Sequence, residues 1–519
     1  MSKGDFAIGV DVGSTSARAV VYSRDGKALG GAQTAFAIRR PAPDFAEHDS
    51  GEIWRAVATS VKAAMAASGA KPGAVAAIGF DATCSLAMFD AAGAPVGVSD
   101  DGEDRWNVIM WADHRAIGEA AEITATKHRV LDYVGGVMSP EMETPKLLWL
   151  KRNLPKKWQR YGLAFDLADF LVWRATGAVT GSACTLTCKW TYLNHETPGW
   201  QADFLSQIGL DGAWEKLRIP AKAAQLGDRA GILSAEAAAE LGLAPGIAVA
   251  VGLIDAHAGG LGLLAGTAPA EFDRAIALIA GTSSCHMALS PQPRAIHGVW
   301  GPYFGAMMPG LWLNEGGQSA TGALLDHILD WHAEGRNLGP DRHAILAKHI
   351  AAQAPDYAAD MLVIPDFRGN RSPLARPELK GAIFGLELDS SFESLARLYH
   401  ATAVGIAYGT RHIVDAMNAK GYAIDRLYLT GGHSKADYLT KLYADATGCD
   451  VILAGEPDAV TLGSAIAAAS AAKFHPDLGS AGAAMCREGA RLRPEAKARA
   501  IHDKGYRRFR AALDARDKI

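Results

Sequence analysis

The chain is 519 residues long, 49% hydrophobic and 21% charged, with a net charge of −4. That length suits two domains with substantial cores, and the faintly acidic balance excludes a general attraction to nucleic acid or an anionic membrane, so small molecules are the expected partners. No uninterrupted apolar run could span a bilayer, and Met1-Ser2-Lys3-Gly4-Asp5 passes straight into a strand with no signal-peptide core, which predicts a cytoplasmic protein.

Two apolar runs, 6–10 and 19–22, read as the strands of a hairpin whose return ends at Arg24-Asp25-Gly26. Between them lies Asp11-Val12-Gly13-Ser14-Thr15-Ser16-Ala17-Arg18. Gly13 lets the backbone approach a phosphate closely, and the hydroxyls and N–H groups of Ser14, Thr15 and Ser16 can donate to its oxygens. A carboxylate beside phosphate repels it unless a cation lies between them, so Asp11 suggests a divalent metal bridging it to a nucleotide. Taken alone, the turn is equally an ordinary hairpin that binds nothing.

Residues 49–68 read as a helix, with Ser50 as N-cap, an apolar stripe of Ile53, Trp54, Val57, Val61, Ala64 and Met65, and Gly69 as a stop. A strand follows over 75–80, then a loop over 81–85 and a return strand over 86–89, with Asp90-Ala91-Ala92-Gly93 closing that hairpin. A further strand delivers Met110-Trp111-Ala112-Asp113-His114-Arg115. Loops at strand ends gather polar groups over a rigid scaffold, so Thr83, Ser85, Asp113 and Arg115 are expected to line one pocket. Residues 141–153 read as a helix carrying Lys146, and a helical segment with Asp166 and Asp169 ends at Gly177. Residues 178–227, rich in Trp, Thr and Gly, read as irregular. A strand over 247–253 leads into Ile254-Asp255-Ala256-His257, and the boundary set here divides the chain into domains 1–257 and 258–519.

Residues 277–289 repeat the opening pattern, with Gly281-Thr282-Ser283-Ser284 between two apolar runs. An approximate repeat half a chain away implies duplicated domains, each offering a hydroxyl-rich hairpin to the same phosphates, which is the logic of the actin-like ATPase fold. The usual phosphate loop, G-x-x-x-x-G-K-[ST], is absent from the sequence. Residues 312–322 read as a strand-to-helix turn rich in backbone donors. A long helix runs from about 392 to 418, with Ser390 and Glu393 as a capping box and Gly421 just past its end. A strand over 426–429 enters Thr430-Gly431-Gly432-His433-Ser434, whose glycines open onto a helix N-terminus where a nucleotide backbone can lie close to N–H groups. Alternating strands and helices in both halves indicate α/β domains. The six cysteines, Cys84, Cys184, Cys188, Cys285, Cys449 and Cys486, are too scattered for a disulfide framework, and Cys184-x3-Cys188 lacks the second ligand pair of a zinc site. Neither G-x-S-x-G nor H-E-x-x-H occurs, and helix packing explains the glycines of 260–265 better than a dinucleotide fingerprint does.

Seven markers now stand in order: the Asp11–Arg18 loop, Trp111-x-Asp113-x-Arg115, Gly252-x-x-Asp255-Ala256, Gly281-Thr282-Ser283, Glu315-Gly316-Gly317-Gln318-Ser319, Gly369-Asn370-Arg371-Ser372-Pro373 and Gly431-Gly432-x-Ser434. Over nearly the whole chain they resemble the FGGY carbohydrate kinases, two-domain sugar kinases of the actin-like ATPase superfamily. The resemblance implies an α/β fold of two actin-like ATPase (ribonuclease H-like) domains with a catalytic cleft between them. Gly-Asn-Arg-Ser-Pro, Asp255-Ala-His257, the Cys285-His286 pair and Trp-Ala-Asp-His-Arg look like the ribulokinase branch, and Thr83-Cys84-Ser85-Leu86 resembles the loop of D-ribulose kinases. Glycerol kinases carry Gln-Arg-Glu at that place. Ala87 and Arg376 depart from the branch's usual pattern.

By that resemblance Asp255 is the general base, and Asp113, Thr83, Ser85, Lys146 and Glu315 join it around the sugar. Lys146 could instead be a solvated helix residue and Glu315 a helix cap, while His257 and His286 read as hydrogen-bonded structural residues. Asp11 would hold Mg²⁺. ATP would be bound by Thr15, Ser16, Arg18, Gly281, Thr282, Ser283 and Gln318, with Gly431, Gly432 and Ser434 along the adenosine. The implied reaction is ATP-dependent phosphorylation of the terminal hydroxyl of a ketopentose, D-ribulose first, with L-ribulose, D-xylulose or ribitol as alternatives. From other classes, an actin-like nucleotide switch or a catalytically silent sugar sensor would share the fold. A homodimer is a family-level expectation.

Overall fold

The computed structural model describes residues 4–516. The first hairpin forms as expected: β1 (Phe6–Val12) runs antiparallel to β2 (Ser16–Ser23), with Asp11 opposite Arg18. Helix α1 (Ser50–Ser68) packs on this hairpin. It starts behind Asp49, not Ser50, because the Asp49 carboxylate accepts the N–H groups of Gly51 and Glu52; Gly69, at φ 68°, ends it in the left-handed conformation. β3 (Val75–Ala82) lies parallel to β1 and sets Asp81 level with Asp11. A seven-stranded sheet results, in the order Ala28–Ala35, β2, β1, β3, Ala248–Ala250, Arg229–Ile232, with Leu253–Ile254 paired to the end of β3.

Several expected elements take a different course. Leu86–Phe89 does not return along β3 but joins a separate four-stranded sheet with Glu47–His48, Val108–Ile109 and Leu163–Asp166. The chain turns away because the Thr83 N–H stays bonded to Val12 O while the Ser85 hydroxyl accepts the Trp111 N–H. The Lys146 helix begins at Glu143, and Asp166 caps the helix Leu167–Thr176 instead of lying within it. The segment 178–227 holds three short helices, of which α2 (Ala183–Lys189) bears on the site. The strand expected over 247–253 is two short ones, interrupted where Gly252 presses against the Ala168 backbone.

Helix α3 (Asp255–Leu264) leads into the second half, where the pattern recurs. β4 (Ala275–Ala280) and β5 (Ser284–Ser290) form the second hairpin, β6 (Trp312–Gln318) pairs antiparallel with β5, and Arg426–Thr430 lies parallel to β4. Outer strand, return strand, first strand and parallel strand thus occur in the same order in both sheets. Glu315 to Gln318 belong to β6, so the turn before the next helix is confined to 319–321. Helix α4 (Phe392–Asn418) is capped by the Ser391 hydroxyl, which accepts the Ser394 N–H, in place of the Ser390 box.

The halves interlock through α5 (Ala459–Ala471), a helix of the second half that packs on β1, β3 and α3. The contact is backbone to backbone. A Cβ on Gly9 would come within 1.8 Å of Thr461 O, one on Gly79 within 2.2 Å of Ser464 O, one on Gly262 within 2.0 Å of Ala459 O and one on Gly463 within 1.9 Å of Ala258 O. The glycines of α3 serve helix packing, as their sequence context suggests. Among the described residues no helix is long and apolar enough to cross a membrane. Gly463→Ala should lower thermal stability by about 1–3 kcal/mol through overpacking. Gly73→Ala, whose Cβ would meet nothing within 4 Å, should leave the calorimetric melting curve unchanged.

Candidate active site

A cavity of about 380 Å³ opens between the halves, where the carboxyl ends of β1 and β3 and the start of α3 face the β4–β5 turn. Strand register brings three aspartates together. Asp11 lies beside Asp81, and Asp255 follows Ile254, which pairs with Ala82. Arg18 Nε donates to Asp11 Oδ2 at 2.9 Å, its Nη2 touches the same oxygen, and its Nη1 lies 3.3 Å from Asp458. Asp81 accepts the Ser464 hydroxyl on one oxygen, while the other, Oδ1, is buried without a partner. Burial and the charge of Asp11 hold Asp81 well above the usual carboxylate range. Burial also raises Asp11, against the pull of Arg18. Asp255 is pushed up to about 6, by burial first and then by Asp11, while the Ala256 N–H at 2.7 Å opposes the shift.

The opposite wall is cationic and aromatic. Lys189, at the end of α2, is only 2% exposed and sits over the Trp300 ring at 4.2 Å; Arg371 lies 4.4 Å from the same ring and donates to Glu141 at 3.1 Å. Glu315 reaches the cleft from β6 and meets His257 Nε2 at 3.1 Å. Burial opposes its ionisation, yet Lys189 and then His257 draw it down to about 2. Lying in a strand, Glu315 caps no helix.

Of the residues singled out from sequence, Asp11, Arg18, Thr83, Asp255, Gly281, Thr282, Ser283 and Glu315 line this one cavity. Ser85 stands behind Thr83, their hydroxyls 3.1 Å apart. Gly431, Gly432 and Ser434 adjoin the β4–β5 turn: a Cβ on Gly431 would lie 2.4 Å from Ala280 O, and the Ser434 hydroxyl bonds Gly431 O. Others lie elsewhere. Thr15 is exposed and Ser16 Oγ accepts from Gln33, because the turn directs Gly13 and Ser14 to the cavity instead. Gln318 spends its amide on Ile406 O and Thr410 of α4.

Asp113, fully buried, accepts four donors: the N–H groups of Ala46 and Arg115, and Nε and Nη2 of the Arg115 guanidinium. Arg115 also binds Glu47 and stacks on Phe45, so neither member of this pair lines the cavity. Lys146 is buried, not solvated, its ammonium 3.1 Å from Glu141 O and 3.4 Å from Glu143. His286 bonds Thr410. Among the described residues no group of three His, Cys, Asp or Glu could hold a metal by itself. Sequence reading missed Lys189, whose segment lacked periodicity, and passed over Arg371 within its own motif; a lysine set among Cys, Thr and Trp was the available signal.

Comparison with known proteins agrees over both halves. Residues 6–262 match the N-terminal domain, and residues 276–472 the C-terminal domain, of the FGGY family of carbohydrate kinases. An FGGY carbohydrate kinase domain-containing protein of Danio rerio is 43% identical, over 97% of this chain and 96% of its own. A D-ribulokinase of Saccharomyces cerevisiae is 36% identical over 90% of this chain and 72% of its own. The crystal structure of a xylulose kinase from Rhodospirillum rubrum superposes with a TM-score of 0.80 at 23% identity, covering 98% of each chain, and shares the fold.

Arg115→Met strands two buried carboxylates and should cost about 3–5 kcal/mol, seen as a lower thermal-unfolding midpoint. An unchanged midpoint with altered ligand affinity would instead put the pair in contact with ligand.

Proposed function

The chain belongs to the FGGY family of carbohydrate kinases, and from that footing we propose that it transfers the γ-phosphoryl group of ATP to the terminal hydroxyl of a ketopentose, D-ribulose before others. The observation that carries this is Asp255 in a cleft shared by two hydroxyl-rich hairpins, one from each half. The choice of D-ribulose is supported by the Thr83-Cys84-Ser85-Leu86 loop, with Thr83 and Cys84 on the cavity wall, and by the yeast D-ribulokinase relative.

Asp255 accepts the proton of the attacking hydroxyl, since phosphoryl transfer asks the protein chiefly for alignment, charge and one base. Gly13 and Ser14 on one side, with Gly281, Thr282 and Ser283 on the other, offer N–H groups and hydroxyls to the phosphates, and Arg18 adds charge. Gly431, Gly432 and Ser434 take the adenosine side. Thr83, Lys189, Glu315 and Arg371 face the sugar, where each buried hydroxyl left unpaired would cost on the order of 1–3 kcal/mol. The acidic floor suits a divalent cation: Asp81 Oδ1 is orphaned and Asp11 lies beside it, one carboxylate held by a single arginine. Mg²⁺ bound there with the nucleotide would supply the charge neutralisation that the phosphates need.

A coupled ADP-release assay over ketopentoses, pentitols, ketohexoses and glycerol should rank D-ribulose first by kcat/KM; preference for another sugar would discard the loop inference and keep the kinase. Asp255→Asn should lower kcat by about 10²–10⁴-fold while calorimetric sugar binding persists. Because the base works ionised and its carboxyl is raised to about 6, activity should fall as pH drops through that value.

A further inference from the structure

Cys184 is wholly buried, lies outside the cavity lining and has no part in phosphoryl transfer as described. Its sulfur nevertheless sits at a junction. It is 3.0 Å from His257 Nδ1 and accepts the Ile254 N–H at 3.4 Å, so it touches residues on both sides of Asp255. The other ring nitrogen, His257 Nε2, is 3.1 Å from Glu315 Oε2. The helix that begins beside Cys184 ends at Lys189, on the same wall as Glu315. One sulfur thereby ties α2 to the start of α3 and, through an imidazole, to β6 of the other half.

A thiol would donate to a neutral Nδ1, and a thiolate would accept from an imidazolium Nδ1–H. In both states Nε2 keeps its proton and donates to the carboxylate. Cys188, one turn on, is 3.9 Å from the same nitrogen. We propose that Cys184 is a positioning residue: it holds His257 with Nε2–H on Glu315 and so fixes the carboxylate that faces the sugar. The identity of the ligand at Glu315 rests on the kinase reading above; the hydrogen-bond chain does not.

The groups facing the imidazole are Cys184 and Cys188 from α2, Glu315 from β6 and Asp255 from its own helix, while Lys189 and Arg371 face Glu315. Burial works against the charged ring, but Cys184 and then Glu315 raise His257 to about 9. The imidazolium is present below that value and lost above it, so removing the sulfur moves the loss to lower pH.

In the full-length enzyme, Cys184→Ala should raise the sugar KM by about tenfold, the scale of one hydrogen bond to a charged group, with the nucleotide KM unchanged. The basic limb of kcat/KM should move to lower pH. Cys184→Ser, whose hydroxyl can donate to Nδ1 and accept from Ile254, should recover the KM but not the limb, because it forms no thiolate. Cys188→Ala, which removes a thiol beside the Cys184 sulfur but leaves the Cys184–His257 contact, should leave the sugar KM unchanged. If both Cys184 variants keep the wild-type KM and limb and lose only active fraction, the role is structural and the proposal fails. A ¹⁵N titration of the His257 ring, assigned with His257→Asn, needs no substrate: it should show a protonated Nε2 in the wild type and a lower pKa in Cys184→Ser. Equal titration in both overturns the proposal whether or not any sugar is turned over. A shifted titration without turnover of any sugar in the panel overturns only the substrate reading.

Discussion

Asp11, Asp81 and Asp255 lie at the carboxyl ends of neighbouring parallel strands, the first two buried almost completely. Carboxylates crowded in so little water cannot all ionise unless positive charge or hydrogen-bond donors reach them. The chain supplies a different partner to each. Arg18 takes Asp11, the Ser464 hydroxyl takes one oxygen of Asp81, and Asp255 keeps only the Ala256 N–H. The incomplete neutralisation is chemically useful. It leaves an orphaned oxygen where a cation can add charge, and it holds Asp255 near the middle of the range in which a carboxylate can accept a proton and later release it.

Packing and chemistry meet in α5. Its backbone touches β1 and β3 because Gly9 and Gly79 carry no side chain there. That approach brings Ser464 within reach of Asp81, and the helix cap, Asp458, within reach of Arg18; the Tyr22 hydroxyl adds a 2.8 Å contact to Thr461. The second half of the chain therefore completes the core of the first sheet, donates the Ser464 hydroxyl to its acidic edge and makes Asp458 a second partner of Arg18. Movement of α5 relative to β1 would disturb Arg18 and Asp81 together, which couples the relative placement of the halves to the electrostatics of the aspartate cluster.

The duplicated hairpins were legible in sequence because the signal was local: apolar runs of strand length around Gly-Ser and Gly-Thr turns, repeated half a chain apart. The cavity contacts of Asp255, Thr83 and Glu315 were also foreseeable, since they stand in short motifs at strand ends or within strands. What could not be read was the division of labour among polar residues far apart in sequence. Asp113 looks like a sugar ligand until Arg115 is seen to occupy both of its oxygens, and Gln318 looks available until α4 closes over its amide. The same limit hid the sheet crossing at Leu86, which depends on the long-range bond between Ser85 and Trp111, and Lys189, which acquires meaning only when Trp300 is brought across from the other half.

The ketopentose proposed as substrate has no charge for Lys189, Arg371 and Glu315 to pair with, so on that reading the charged groups of this wall must first satisfy one another. Trp300 is shared by the two cations. Its ring accepts Lys189 and Arg371, while Glu141 takes the outer side of Arg371 and His257 takes Glu315. Each group thus has a partner within the wall and still lines the cleft. Such groups can exchange hydrogen bonds with sugar hydroxyls without a change in net charge, and recognition then depends on where the donors and acceptors point. The buried bonds behind the wall, among them the one from His257 to Glu315, set those directions, so on the proposed reading selectivity rests partly on residues outside the cavity lining.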